Sequence, residues 1–216
     1  MAIRTNYIEE VTPNIRIEGK DAARVLKHYG ITVDDVVNLC GGIPSPHITN
    51  IRVTITATYS SALSARVFTD QYEVARNMDF EIGRIDNNFM YVQEKRQGLG
   101  TNLFLTQVHT ALRHRLRKIH LTAMGPEDGL DWNGYYLWAV LGFENTDIDE
   151  YLAWASAMGR EEPTLSELVQ TESGRLLWKN GGFTWIGNFH LEKSHTCMKY
   201  LQQYLRRKNI DFMLDA

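Results

Sequence analysis

The hydrophobic pattern of this chain changes period at one place, and that change constrains the fold more than any other feature. Upstream, Ile51, Val53, Ile55 and Ala57 alternate with polar residues. A period of two gives a strand one buried face. Downstream, Leu99, Leu103, Leu105, Val108, Leu112 and Leu116 roughly follow one face of a helix. Between the two regimes stands Lys95-Arg96-Gln97-Gly98-Leu99-Gly100. A run of closely spaced strands that passes into strand–helix–strand–helix order predicts a mixed α/β domain with one central, mostly antiparallel sheet flanked by helices.

Elements can be placed on either side of that joint. A short strand is expected around Asn14 to Ile17, then a helix over "KDAARVLKHYG" with Gly30 as its stop. "TVDDVVNLCGG" reads as a second short helix, with Thr32 and Asp35 as a capping box and Gly41-Gly42 at its end. "ALSARVFTD" and "YEVARNMDFEI" predict two more strands. Asp86-Asn87-Asn88 reads as a turn before a further strand, "FMYVQ". "KIHLTAMG" is a strand, and "DWNGYYLWAVLGFE" an aromatic helix ended by Gly142. Helices follow over "TDIDEYLAWASAMG" and "PTLSELVQTESGRLLWKNGG", then a late strand, "FTWIGNFHL". In the closing helix, "SHTCMKYLQQYLRRK", Ser194 is the expected cap and Cys197, Met198, Leu201, Tyr204 and Leu205 the apolar stripe. The whole chain is read as a single domain, with an N-terminal helical segment over 1–47, a core sheet over 48–145 and a helical extension over 146–216.

Composition narrows the class of function. A chain of 216 residues, 44% hydrophobic and 23% charged, has room for a full core. No stretch approaches the ~20 apolar residues that span a bilayer, and no secretory signal precedes the first strand, so no membrane partner is expected. Cys40 and Cys197 lie far apart and read as buried free thiols, which places the protein in the cytoplasm. A net charge of −3 argues against a nucleic-acid partner. The basic run Arg113 to Lys118 falls at a helix end, where cations complement the dipole. His190 and His195 lack further ligands at zinc spacing and read as surface or capping residues, so no metal is expected.

The glycine joint has a physical use. The first turn of a helix leaves backbone N–H groups without intrahelical partners. Gly98 and Gly100 remove the side chains that would block a ligand there. The helix dipole adds partial positive charge, and Lys95 and Arg96 add full charges. Together these features suit a pyrophosphate. The joint is not a P-loop, because no Gly-Lys-Ser or Gly-Lys-Thr follows, and Leu103 stands where a dinucleotide fingerprint needs its third glycine. Alone, such a turn serves equally well as a plain joint between a strand and a helix.

A second element shifts the balance. "NGYYLWAVLGFE" lies about forty residues on, after an intervening strand. The pair resembles the GNAT superfamily of acetyl-CoA-dependent N-acyltransferases. That family's phosphate motif, [Gln or Arg]-x-x-Gly-x-[Gly or Ala], reads here Lys95-x-x-Gly98-x-Gly100, and its Leu-Gly-Phe end matches Leu141-Gly142-Phe143. The resemblance covers roughly residues 48 to 145.

The resemblance implies a GNAT-like sheet and acyl transfer from acetyl-CoA, or another short acyl-CoA, to a small-molecule or peptide amine by direct attack in a ternary complex. It implies that the backbone of Gln97, Gly98, Leu99, Gly100 and Thr101 binds the pyrophosphate, with Lys95 and Arg96 beside it. Tyr91 and Val92 would offer backbone groups to the pantetheine arm. Two departures stand out. Trp138 occupies the position of the family's tyrosine acid, which leaves Tyr135, one helical turn earlier, to take that role. Asp131 occupies the asparagine position, with Asn133 close by as the substitute cofactor contact. Core filling is the competing account of Trp132, Tyr135, Tyr136 and Trp138. Glu94, Glu81 and Asp79 are candidates for the base by location, with Glu94 at the end of the strand. Glu144, Asp147, Asp149 and Glu150 would favour a cationic acceptor if they rim it, and otherwise form an acidic helix start. A catalytically silent acyl-CoA sensor or interaction module of the same fold is the alternative, and a nucleotide-phosphate binder the third reading. A homodimer is compatible with either of the first two.

Overall fold

The computed structural model describes residues 14–43, 48–94, 98–125 and 133–212. Strands β1 (Asn14–Glu18), β2 (Arg52–Tyr59), β3 (Ala62–Phe68), β4 (Tyr72–Asp79), β5 (Arg84–Val92), β6 (Lys118–Ala123), β7 (Glu144–Asn145) and β8 (Trp185–His190) form one sheet. Their order is β1-β2-β3-β4-β5-β6-β8-β7. The helices among the described residues are α1 (Lys20–Tyr29), α2 (Val33–Leu39), α3 (Leu99–Arg113), α4 (Gly134–Val140), α5 (Ile148–Ala157), α6 (Leu165–Leu168), α7 (Glu172–Gly181) and α8 (Thr196–Lys208). The fold is mixed α/β with a mostly antiparallel sheet. None of the described helices is long and apolar enough to cross a membrane.

The chain divides into two compact units: Met1–Asn77 with Phe89–Thr110, and Met78–Asn88 with Ala111–Ala216. Their boundaries fall within β4, β5 and α3.

In the first unit, β1 runs parallel to β2 and β2 antiparallel to β3. The alternation of β2 buries Val53 and Ile55, with Ile51 buried just before the strand, while Ala57 is half-buried where the register with β3 shifts. Helix α1 buries Ala22, Val25 and Leu26 and ends at Gly30, whose φ of 64° is the left-handed geometry of a C-cap. The expected capping box on α2 is present in full: Thr32 Oγ1 accepts from Asp35 N–H, and the Asp35 carboxylate accepts from Thr32 N–H. Helix α3 is buried more widely than the single predicted face. Leu103, Phe104, Leu105 and Val108 are enclosed, and so are Thr101, Gln107 and Thr110. Gln107 keeps its place by donating to the Leu39 carbonyl at 2.9 Å. Each enclosed leucine contributes roughly 1.5–3 kcal/mol.

In the second unit, the start of β5 runs parallel to β6, and β6 and β7 each run antiparallel to β8. One expected turn is absent. Asp86, Asn87 and Asn88 lie inside a continuous β5. The reversal occurs at residues 80–83, where Gly83 takes φ 67° and Asp79 Oδ1 accepts from the N–H groups of Glu81 and Ile82. That aspartate makes the turn. Asp86 is instead held by Arg84 at 2.7 Å, and Asn87 pairs across to Leu121.

Two further local expectations change. The helical stretch after Pro163 is two helices, each started by its own threonine: Thr164 accepts from Glu167 N–H and Thr171 from Gly174 N–H. The cap of α8 is His195, whose Nδ1 accepts from Cys197 N–H, and not Ser194. Ser194 turns to Glu192 instead, at 2.8 Å. The predicted stripe of α8 is buried as a set: Cys197, Met198, Leu201, Tyr204 and Leu205.

Candidate functional site

The glycine joint lies in the first unit, and its two glycines do different work. Gly98 takes φ 79°, a conformation that disfavours any side chain, and among the described residues beyond its chain neighbours no atom lies within 4 Å of where its Cβ would stand. Gly100 has ordinary φ, but its Cβ would meet Met90 Cε at 3.1 Å and Val92 Cγ2 at 3.9 Å. Gly98 therefore turns the chain and leaves space, while Gly100 lets the first turn of α3 approach β5. Asn102 N–H donates to Gly98 O at 3.0 Å, so the amides of Leu99 and Gly100 precede this intrahelical bond. Tyr91 is 49% exposed at the end of β5, Val92 and Leu99 are half-buried, Thr101 is buried and Glu94 is exposed. Lys95, Arg96 and Gln97 lie outside the described residues.

A residue that the sequence reading passed over acts on the same strand. Arg76 is 2% exposed on β4, and its Nη1 donates to the carbonyls of Ala75 and Phe89. Burial pushes its pKa down to about 10, so the guanidinium remains charged at neutral pH. Among the described residues its Nε has no hydrogen-bond partner. A signal for it exists in the sequence: Tyr72, Val74, Arg76 and Met78 share one strand face, and all four are buried. A charge in an apolar alternation marks a cation inside the core.

The aromatic helix lies in the second unit. Tyr135 and Trp138 are both buried, as their shared face implies, while Tyr136 is half-buried. Trp138 packs edge-on against Phe143 with ring centroids 5.2 Å apart. Tyr135 N–H donates to Met124 O at 2.9 Å, which ties α4 to the residue after β6. The Tyr135 carbonyl accepts two indole N–H groups, from Trp178 at 3.0 Å and Trp185 at 2.9 Å. Its hydroxyl donates to the Lys179 carbonyl on α7. Burial, and then Tyr136, push its pKa above the ordinary tyrosine value. To act as an acid, this hydroxyl must first give up its bond to Lys179. Asn133 is exposed at the start of α4 and makes no side-chain cap bond. Asp131 and Trp132 lie outside the described residues.

The remaining candidates separate by their contacts. Asp79 is committed to the turn amides, and Glu81 is exposed. Asp147 caps α5 by accepting from Glu150 N–H, with Asp149 and Glu150 in the first turn, so helix initiation accounts for these acids. The aromatic insert folds on itself: Trp154 meets Trp178 edge-on at 4.8 Å, and Trp178 meets Phe183 at 5.1 Å. Its residues also line a cleft of about 240 Å³, whose walls include Glu144, Tyr151, Thr164, Glu167, Thr196 and Tyr200. Cys40 and Cys197 are free and buried.

Glu94, Tyr91, Val92, Gly98, Leu99, Gly100 and Thr101 belong to the first unit, and Asn133 and Tyr135 to the second. No model of a known protein family matches the chain, and no curated protein matches it.

Proposed function

We propose that the protein is an acyl-CoA-dependent N-acyltransferase. The observation that carries this reading is the conformation of Gly98: a left-handed turn whose missing Cβ would meet no other described residue, set between a strand and the N-terminus of a 15-residue helix. Amides at the start of a helix, a dipole of the right sign and glycine in place of a side chain at position 98 fit a pyrophosphate. The parallel register of β5 with β6 covers Arg84–Asn87, and β5 then continues to Val92. The backbone of Tyr91 and Val92 is the segment that would hold the pantetheine amides. Acetyl-CoA, or another short acyl-CoA, is the donor and a small-molecule or peptide amine the acceptor.

In this reaction the amine nitrogen attacks the thioester carbonyl carbon, so a C–N bond forms and the C–S bond breaks with its electron pair leaving on sulfur. The amine gives up a proton, and Glu94 is the proposed acceptor of it, directly or through one water. A thiol with an unperturbed pKa near 8.5 leaves readily as thiolate, so the reaction tolerates a tyrosine whose hydroxyl is engaged elsewhere. Tyr135 would protonate the thiolate only after release from Lys179.

The alternative is an acyl-CoA sensor of the same fold. The engagement of the Tyr135 hydroxyl with the Lys179 carbonyl favours it. Titration calorimetry with acetyl-CoA, with ADP as comparison, tests the shared premise. An amine screen with detection of free thiol then separates enzyme from sensor. Binding of neither ligand would overturn both readings.

A further inference from the structure

At the β7–β8 edge, Glu144, His190 and His195 bring one ligand atom each to within 4.8 Å of one another. Strand pairing explains how. Glu144 lies opposite Asn188, and strand alternation puts His190 on the same face as Asn188. His195 arrives from the start of α8, and its ring stacks on that of His190 with centroids 4.3 Å apart and planes 28° from parallel. His195 Nδ1 lies 3.7 Å from Glu144 Oε1, which also accepts from Thr196 Oγ1. The spacing of the two histidines in sequence shows no third ligand, because Glu144 is supplied by the sheet register.

We propose that Glu144, His190 and His195 form a binding site for a divalent transition ion of the zinc type. Two imidazoles and one carboxylate are borderline donors that suit zinc and its neighbours and not magnesium or calcium. Tetrahedral ligands at 2.0–2.1 Å stand roughly 3.4 Å apart. Closing a 4.8 Å cluster to that separation takes side-chain movements on the order of 1 Å. The His195 and Glu144 side chains are 28% and 34% exposed, so an ion can reach them. Three protein ligands leave a fourth position open. Glu144 and Thr196 also line the 240 Å³ cleft, so that position borders a space a small ligand could enter. The ion would join β7, the end of β8 and the start of α8, and the site does not depend on the acyl-transfer reading.

The test is titration calorimetry of the chelator-treated full chain with zinc chloride, with magnesium chloride as the control, alongside thermal melts. One zinc ion should bind and raise Tm, and magnesium should do neither. Glu144→Gln keeps the shape of the side chain and an oxygen for Thr196, so the fold should persist by circular dichroism. It should weaken zinc binding about tenfold or more, since loss of even an outer partner costs that much. His190→Ala should do the same. His120→Ala, on the same face but bonded to Asn188 at 2.9 Å, should leave affinity unchanged. Absence of zinc binding, or an affinity that Glu144→Gln and His190→Ala both leave intact, would overturn the assignment.

Discussion

The guanidinium of Arg76 donates to the carbonyl of Phe89, so a cation on the buried face of β4 holds the backbone of β5 just before that strand ends. The contact couples a core residue to the segment proposed to receive the pantetheine arm. Arg76→Met removes a buried charge whose desolvation is costly, and also a hydrogen bond worth about 1–3 kcal/mol. These effects oppose each other, so the expected change in Tm is small. Acetyl-CoA affinity should fall by more than the change in stability implies. Equal affinity in the variant, measured by calorimetry, would remove Arg76 from the positioning of β5.

The two glycines should respond differently to substitution. Gly98→Ala forces a side chain into φ 79° and should cost roughly 1 kcal/mol or more of stability. Gly100 meets chiefly the flexible end of Met90, so Gly100→Asp should fold. Its carboxylate would stand beside the proposed pyrophosphate and weaken acetyl-CoA binding about tenfold or more. Affinity equal to that of the original protein in Gly100→Asp would sink the phosphate site.

Tyr135→Phe separates structure from chemistry. Loss of the bond to Lys179 should lower stability by about 1 kcal/mol in a urea titration. If the hydroxyl also serves as the acid, kcat falls while acetyl-CoA affinity holds. Unchanged turnover would show that the thiolate leaves without it.

Both thiols should be silent in the folded protein. Burial pushes Cys40 and Cys197 up to about 12 from 9.0. The unfolded thiols ionise first, so stability is fully present below pH 9 and falls as pH rises towards 12. The expected loss is about 1.4 kcal/mol per thiol per pH unit in that window. A disulfide reagent at pH 8 should label neither cysteine until denaturant is added. A Cys40→Ala, Cys197→Ala chain should show a flatter decline between pH 9 and 10 in thermal melts.

What could be read from the sequence was what local rules decide. Gly30, the Thr32–Asp35 box and the stripe of α8 each depend on residues within a few positions of one another, and each is in place. The turn assigned to Asp86–Asn88 failed because three turn-forming residues together outweighed one aspartate and one glycine earlier in the chain, which in fact close the reversal. Strand β7 is only two residues long, too short for any period to register, and yet it delivers Glu144 to the histidines. The bond from Tyr135 to Lys179 joins α4 to α7, and nothing within either helix announces it. Register and long-range packing decide such contacts, whereas periodicity reports only which face is buried.

The indole cluster around Tyr135 has a practical consequence. All five tryptophans, Trp132, Trp138, Trp154, Trp178 and Trp185, fall in the stretch of sequence assigned to the second unit. Intrinsic fluorescence of the native chain is therefore a report from one half of the molecule, whereas far-ultraviolet dichroism samples both. Following one denaturation with the two signals gives a label-free readout of cooperativity: coincident curves mean that the halves melt as a single thermodynamic body, and separated curves mean that one half can open while the other stays folded.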